Sequence, residues 1–186
     1  MYQDILKKIN QPIILLGYMG SGKTSIGKKI SKILKIKFHD LDKLIENKFN
    51  KTVNKIFLDQ GEINFRKKER ELLENILYKK KIFVLSLGGG TPCYFNNIDF
   101  ILKKTDLTIF LKPEIKQLSK KLYKNKSKRP IIKYVKTEKK MNEFVSKHMM
   151  ERIHYYNKAK YHVIYDLNDK MDACNKIIDI LNKNSS

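Results

Sequence analysis

A lysine and a hydroxyl residue closing a glycine-rich turn can hold a phosphate chain. Gly17-Tyr18-Met19-Gly20-Ser21-Gly22-Lys23-Thr24 has that pattern, G-x-x-x-x-G-K-[ST]. In it the backbone N–H groups turn inward to a phosphate, and the following helix adds its N-terminal dipole. Gly20, Ser21, Gly22, Lys23 and Thr24 are therefore candidate ATP-binding residues. Lys23 would reach the β- and γ-phosphates, and the Thr24 hydroxyl would ligate Mg²⁺ directly. The Lys23 ammonium is expected to face phosphate or solvent, not the core.

Asp40 and Asp42 stand two residues apart in His39-Asp40-Leu41-Asp42. At a strand end, residues i and i+2 point to one side. One carboxylate could then hold a water on Mg²⁺ while the other engages an acceptor hydroxyl. An isolated D-x-D is more often a helix N-cap, and Asp42 precedes Leu44-Ile45 as a cap would. Beside a phosphate loop the chemical reading is preferred, because phosphoryl transfer needs a metal and an oriented nucleophile.

Of the 40 basic residues only Arg66, Arg70, Arg129 and Arg152 are arginine; the other 36 are lysine. The planar guanidinium holds a carboxylate or phosphate by two hydrogen bonds. In a lysine-rich chain, arginine marks positions where that fork matters. Glu69 lies three residues after Arg66, on the same helical face, and could orient it. The plainer alternative is a surface ion pair, worth little, and Arg70 is read that way. Arg129 sits in a charged stretch where a cation could fold over a transferring phosphate. Three of the eight glycines are consecutive, Gly88-Gly89-Gly90, which could be a flexible strand exit but in a glycine-poor chain suggests close backbone approach to a ligand with N–H groups exposed. His39, His148, His154 and His162 show no metal spacing and receive no role. No aspartate ends the run Ile82–Leu87, which argues against a motor ATPase or switch GTPase and for a small-molecule kinase.

These groups need elements to position them. Apolar runs predict strands at about 12–16, 36–38, 82–87, 106–111 and 162–165. Helical spacing covers about 23–34, 42–50, 52–59, 62–80, 98–104, 113–125, 141–159 and 171–183. Thr52 is an N-cap, Gly61 separates two helices, and Pro113 sits in a first helical turn. Residues 1–11 form an amphipathic lead-in, and the aperiodic stretch 124–140 is a mobile lid. Alternating strands and helices give an α/β fold, a parallel five-stranded sheet with helices on both faces. One domain spans residues 1–186.

The net charge of +21 raises the possibility of a nucleic-acid partner. The lysines are spread along the whole chain, so the reading is a solvated surface without a specific nucleic-acid partner. Cys93 and Cys174 are far apart and suggest neither zinc nor a disulfide framework. The apolar run after Lys7-Lys8 is too short for a membrane span and holds the phosphate loop. A cytoplasmic monomer with no membrane partner is expected.

The ordered set of motifs resembles the shikimate kinase family across nearly the whole chain. It comprises Gly20-Ser21-Gly22-Lys23-Thr24-Ser25-Ile26-Gly27, Asp40-Leu41-Asp42, Gly61-Glu62 with Phe65-Arg66 and Glu69, Leu85 to Gly90, and Lys128-Arg129-Pro130. Arg152 with Tyr156 follows. The resemblance implies a three-layer P-loop kinase fold and transfer of the ATP γ-phosphoryl to the 3-hydroxyl of shikimate, with Mg²⁺. It adds Ser25 and Arg129 to the ATP-binding set. It places shikimate on Asp42, Arg66, Gly88, Gly89, Gly90 and Arg152, with the two arginines on its carboxylate. Lys23, Asp42 and Arg129 would be catalytic, Thr24 a direct metal ligand and Asp40 a ligand through water. The family's proline two residues after Arg152 is His154 here. Its adenine-contacting basic residue has no clear counterpart around Lys121-Leu122, and the late adenine loop falls near 168–170. The alternatives are a gluconate kinase of the same fold and an ATP-switched nucleic-acid-binding protein.

Overall fold

The computed structural model describes residues 9–79 and 81–183, with only the backbone of Lys128. The strands differ in sequence according to what covers them. β1 (Ile13–Leu16), β3 (Phe83–Ser86) and β4 (Thr108–Pro113) are near-continuous apolar runs, buried except at Lys112. A strand covered on both faces has no solvent side for polar residues. β2 (Lys37–Asp40) and β5 (Tyr161–Tyr165) are the edges and are partly exposed. All neighbours pair in parallel, in the order β2-β3-β1-β4-β5.

Parallel neighbours need crossovers, and helices supply them. They are α1 (Lys23–Leu34), α2 (Leu41–Phe49), α3 (Val53–Leu77), α4 (Asn97–Leu102) and α5 (Ile115–Lys124). α6 (Glu138–Met150), α7 (Ile153–Tyr156) and α8 (Lys170–Lys183) follow. α1 buries Ile26, Ile30 and Leu34, each stabilising by roughly 1.5–3 kcal/mol on leaving water. A Cβ on its Gly27 would stand 2.5 Å from the Phe38 ring of β2, so only glycine lets helix and sheet come this close.

The Thr52 cap is present, its hydroxyl accepting from the Lys55 N–H at 3.2 Å. Gly61, at φ 74° and ψ 168°, kinks α3 at the predicted separation. Pro113 departs from expectation: it closes β4, opposite Tyr165, and α5 begins only at Ile115. A strand's last residue tolerates a missing N–H as well as a helix's first turn does. The helix expected over 141–159 starts earlier, after Thr137 caps it through the Lys140 N–H. It breaks at Glu151, and Arg152 opens α7 with φ −115°. The stretch 124–140 is not structureless. It folds into 3₁₀ turns at Lys126–Lys128 and Pro130–Ile132, anchored by fully buried Ile132. The predicted lead-in lies outside the described residues except for 9–11.

Register aligns the strand ends that matter. Leu15 and Asp40 both pair with Ser86, so the phosphate loop, Asp40 and the triple glycine leave the sheet side by side. Ligands of open parallel sheets sit beyond the carboxyl ends of the strands.

Candidate active site

The carbonyls of the phosphate loop are engaged by side-chain donors. Lys23 Nζ donates to the Gly17 and Tyr18 carbonyls at 2.7 and 3.0 Å. Lys121 Nζ donates to Gly20 O at 2.8 Å, and the Tyr165 hydroxyl donates to Ser21 O. Gly22, at φ 88°, caps α1 without a side-chain bond, which leaves first-turn N–H groups for a ligand. Ser21 Oγ is buried with no hydrogen-bond partner among the described residues. These donors fit a phosphate chain. Lys23 differs from expectation: it is only 8% exposed, its ammonium folded onto the loop's own carbonyls. Burial pulls its pKa down to about 8, opposed by Asp42 and Asp40.

Thr24 donates its hydroxyl to Asp40 Oδ2 at 2.7 Å. The cap role considered for Asp42 belongs to Asp40, whose Oδ1 accepts from the Lys43 N–H at 3.4 Å. The two aspartates therefore do not share a strand face. Asp40 ends β2, Asp42 sits in the first turn of α2, and the turn of the chain brings both to one cleft. Burial raises the Asp42 pKa to about 6, with Glu69 and Asp40 adding to it. Among the described residues no three His, Cys, Asp or Glu side chains form a metal cluster. Thr24 and Asp40 offer hard oxygens, a donor set that suits Mg²⁺ completed by phosphate and water.

Arg66 on α3 is buried and held from several sides. Its Nε and Nη2 donate to Glu62 Oε1 at 3.3 and 3.2 Å, and Nη1 donates to Glu69 Oε2 at 2.9 Å. The Tyr94 ring lies 4.4 Å from its guanidinium carbon. Three of its five N–H donors are thus engaged. The other two, one on each terminal nitrogen, have no acceptor among the described residues. Fully buried Glu69 also accepts from Thr91 Oγ1 at 2.6 Å.

The three glycines serve neighbours in the protein itself. A Cβ on Gly88 would stand 2.7 Å from Asp42 Oδ1 and 2.9 Å from Thr91 Oγ1. One on Gly89 would press on the Met19 nitrogen of the phosphate loop at 3.2 Å, and one on Gly90 would collide with the Arg66 guanidinium. Approach to a ligand was the expectation; the close approach seen in these contacts is to the rest of the site.

Arg152 donates through Nη1 to His148 O at 3.2 Å and lies beside Cys93, which feels both Arg152 and Arg66. A cleft of about 1190 Å³ brings Gly20, Thr24, Asp40, Asp42, Lys121 and Arg129 onto one wall system. A second hollow of about 780 Å³, lined by Gln117, Lys121, Asn125, Asn168 and Lys170, adjoins it. Lys121 and Asn125 belong to both.

The family model for shikimate kinase matches residues 19–182. The chain belongs to the shikimate kinase family. A shikimate kinase of Flavobacterium psychrophilum is 46% identical over 169 residues, covering 91% of this chain and 98% of its own. The structure of Acinetobacter baumannii shikimate kinase in complex with shikimate superposes with a TM-score of 0.82 at 26% identity, covering 97% and 98%. A Sinorhizobium meliloti gluconokinase shares the fold alone, with a TM-score of 0.60 at 14% identity over 95% and 94%. Membership makes the chain an ATP-using kinase of the shikimate pathway, and the gluconate alternative is not favoured. Among the described residues no helix is long and apolar enough to cross a membrane.

His154, at the family's proline position, is second in α7, a first-turn place where either residue is accommodated. Cys93 was weighed only for zinc or a disulfide, and Thr91 and Tyr94 were not singled out from sequence, although all three lie within four residues of the triple glycine. Neither was the bond between Tyr18 and His148, whose partners are 130 positions apart.

Proposed function

We propose that this kinase transfers the γ-phosphoryl of ATP to the 3-hydroxyl of shikimate, giving shikimate 3-phosphate and ADP. The observation that carries the reading is the Arg66 fork, pinned by Glu62 and Glu69 with one N–H left on each terminal nitrogen. That is the donor pair a carboxylate takes, and Arg152 supplies a second cation nearby. Gly88, Gly89 and Gly90 set the floor between them. Asp42 accepts the acceptor hydroxyl's proton as its oxygen bonds to the γ-phosphorus and the bond to the β–γ bridging oxygen breaks. Its raised pKa keeps it a competent base near neutral pH.

Gly20, Ser21, Gly22, Lys23, Thr24 and Ser25 hold the phosphates, and Arg129 comes from a lid over 124–140 to the transferring group. Thr24 would hold Mg²⁺ directly and Asp40 through water; the ion when bound neutralises charge developing on the phosphate oxygens. The adenosine lies toward the hollow of Lys121 and Asn168, which supplies the adenine contacts that had no clear counterpart in the sequence. Within this reading residues 1–186 act as one domain, a cytoplasmic monomer without a specific nucleic-acid partner. The dispersal of its lysines supports the last point.

The test is ADP release over a panel of hydroxy acids, comprising shikimate, gluconate and a shikimate analogue lacking the carboxylate. Shikimate alone should be turned over efficiently. Comparable turnover of gluconate or of the decarboxylated analogue contradicts the reading.

A further inference from the structure

The phosphate loop and the arginine at residue 152 are joined by a contact that neither motif includes. The Tyr18 hydroxyl and His148 Nδ1 are 2.6 Å apart, and their rings meet edge to face with centroids at 5.4 Å. Tyr18 is 1% exposed and sits in the glycine turn itself. His148 is in the last turn of α6, and its carbonyl accepts from Arg152 Nη1. A second tie lies four residues beyond Arg152. The Tyr156 hydroxyl donates to Gly89 O at 2.5 Å, and a Cβ on Gly89 would stand 3.2 Å from Met19 N and 3.7 Å from the Tyr18 carbonyl carbon. Arg152 thus stands midway between two ties, one at 148 to the phosphate loop and one at 156 to Gly89 beside it.

The loop end of this connection is sensitive to what the loop holds. The Tyr18 carbonyl accepts from Lys23 Nζ at 3.0 Å. Phosphate oxygens compete for the same ammonium, and a charge-assisted bond to phosphate outweighs one to a neutral carbonyl. Occupancy of the loop therefore alters a bond on Tyr18, whose other end holds His148. A coupling free energy needs such a contact that differs between the two states of a site.

We propose that His148 is a positioning residue that, through Tyr18, couples nucleotide at the phosphate loop to the placement of Arg152, and so to affinity for the acceptor's carboxylate. The proposal rests on the reading of shikimate as that acceptor. It assigns to the pair no contact with either substrate.

The experiment is calorimetric titration of shikimate into the whole chain, with and without the non-hydrolysable ATP analogue AMPPCP and Mg²⁺. In the unsubstituted chain AMPPCP should tighten shikimate binding by about 5- to 30-fold, within the usual range of coupling between sites. Tyr18→Phe keeps the ring in its buried place and removes only the hydroxyl. It should bring that ratio to about 2 or less while shikimate affinity without nucleotide stays within about 2-fold. His148→Leu should do the same, and the double variant should lose nothing more. His148→Asn, which retains an amide group near the Nδ1 position, should restore part of the ratio. A merely structural role would weaken shikimate binding equally with and without AMPPCP, and that result overturns the proposal. So does an unchanged ratio in Tyr18→Phe. Binding of shikimate to the unsubstituted chain with no AMPPCP effect removes this proposal alone. No binding of shikimate at all removes the acceptor reading and this proposal with it.

Discussion

The two halves of the cleft are built on different principles. The phosphate side is one contiguous stretch, β1, loop and α1, in which glycines and helix-start N–H groups make the donor array. From outside, Lys121 and Tyr165 donate to its carbonyls, and Asp40 and His148 each bond one of its side chains. The side proposed for the acceptor draws on α2, α3, the turn after the triple glycine and the α6–α7 break. Its arginine at 66 takes its orientation from Glu62, Glu69 and Tyr94. Phosphate recognition needs generic backbone geometry, which a short motif encodes. Recognition of one acid among many needs side chains fixed from several directions, which only the fold can bring together.

The sharpest way to break that contrast is Lys23→Met, which keeps the stem of a buried side chain and removes the ammonium. Turnover should fall on the order of 10³-fold, the scale for losing one donor to a developing charge. Shikimate affinity without nucleotide should move by about 2-fold or less. A large loss of shikimate binding in that titration shows the two sides are not separable.

Asp42→Asn tests where the sides meet. Loss of a general base should lower kcat by about 10²–10⁴-fold. The folded-state pKa of Asp42 is about 6 against a reference of 3.8. Its buried charge therefore costs nothing below the reference value, and stability is lost as pH rises from there through about 6. The neutral amide of the variant carries no such cost. At pH 8 the variant should be more stable than the unsubstituted chain, by an amount of order 1–3 kcal/mol. At pH 3.5 the advantage should vanish. A variant less stable at pH 8, by thermal or urea unfolding, contradicts the assignment.

Arg152→Lys separates charge from geometry. Lysine keeps the cation and loses the fork, at roughly 1.5–3 kcal/mol for a charged hydrogen bond. kcat/KM for shikimate should drop about 10- to 100-fold, with KM for ATP nearly unchanged. Wild-type kcat/KM in steady-state assays takes Arg152 out of the carboxylate clamp.

The sequence was legible where chemistry is local or composition makes a residue rare. The phosphate loop, the five strands, Thr52 and the kink at Gly61 follow from short-range rules. Arg66, Arg129 and Arg152 stood out because this chain otherwise uses lysine. Asp40 and Asp42 were placed together by a strand argument, whereas a strand end and a helix start bring them to the cleft. Pro113 was misplaced because proline is equally content at either of two adjacent boundaries. The Tyr18–His148 and Thr91–Glu69 bonds were invisible for a different reason. A tyrosine, a histidine or a threonine has many possible partners, and only tertiary packing selects one.

Thr91→Val is the gentlest probe of the acceptor side. It preserves shape and removes only the hydroxyl that donates to Glu69 Oε1 at 2.6 Å. Glu69 would keep its bond to Arg66 through Oε2 and lose a partner on a fully buried oxygen, costing about 1–3 kcal/mol of stability. That carboxylate then has more freedom, and the Arg66 fork it steadies is less well fixed. KM for shikimate should rise about 3- to 10-fold with kcat within about 2-fold, since the group proposed for the fork is remote from the transferring phosphate. KM for ATP should not move, because no bond of the phosphate loop runs through Thr91. Thr91→Ser restores the donor without the methyl and should recover most of the shikimate KM. Equal rises in both KM values would mean that the turn after the triple glycine serves the phosphate loop as much as the clamp. The two sides of the cleft would then be one unit, held together at Gly89.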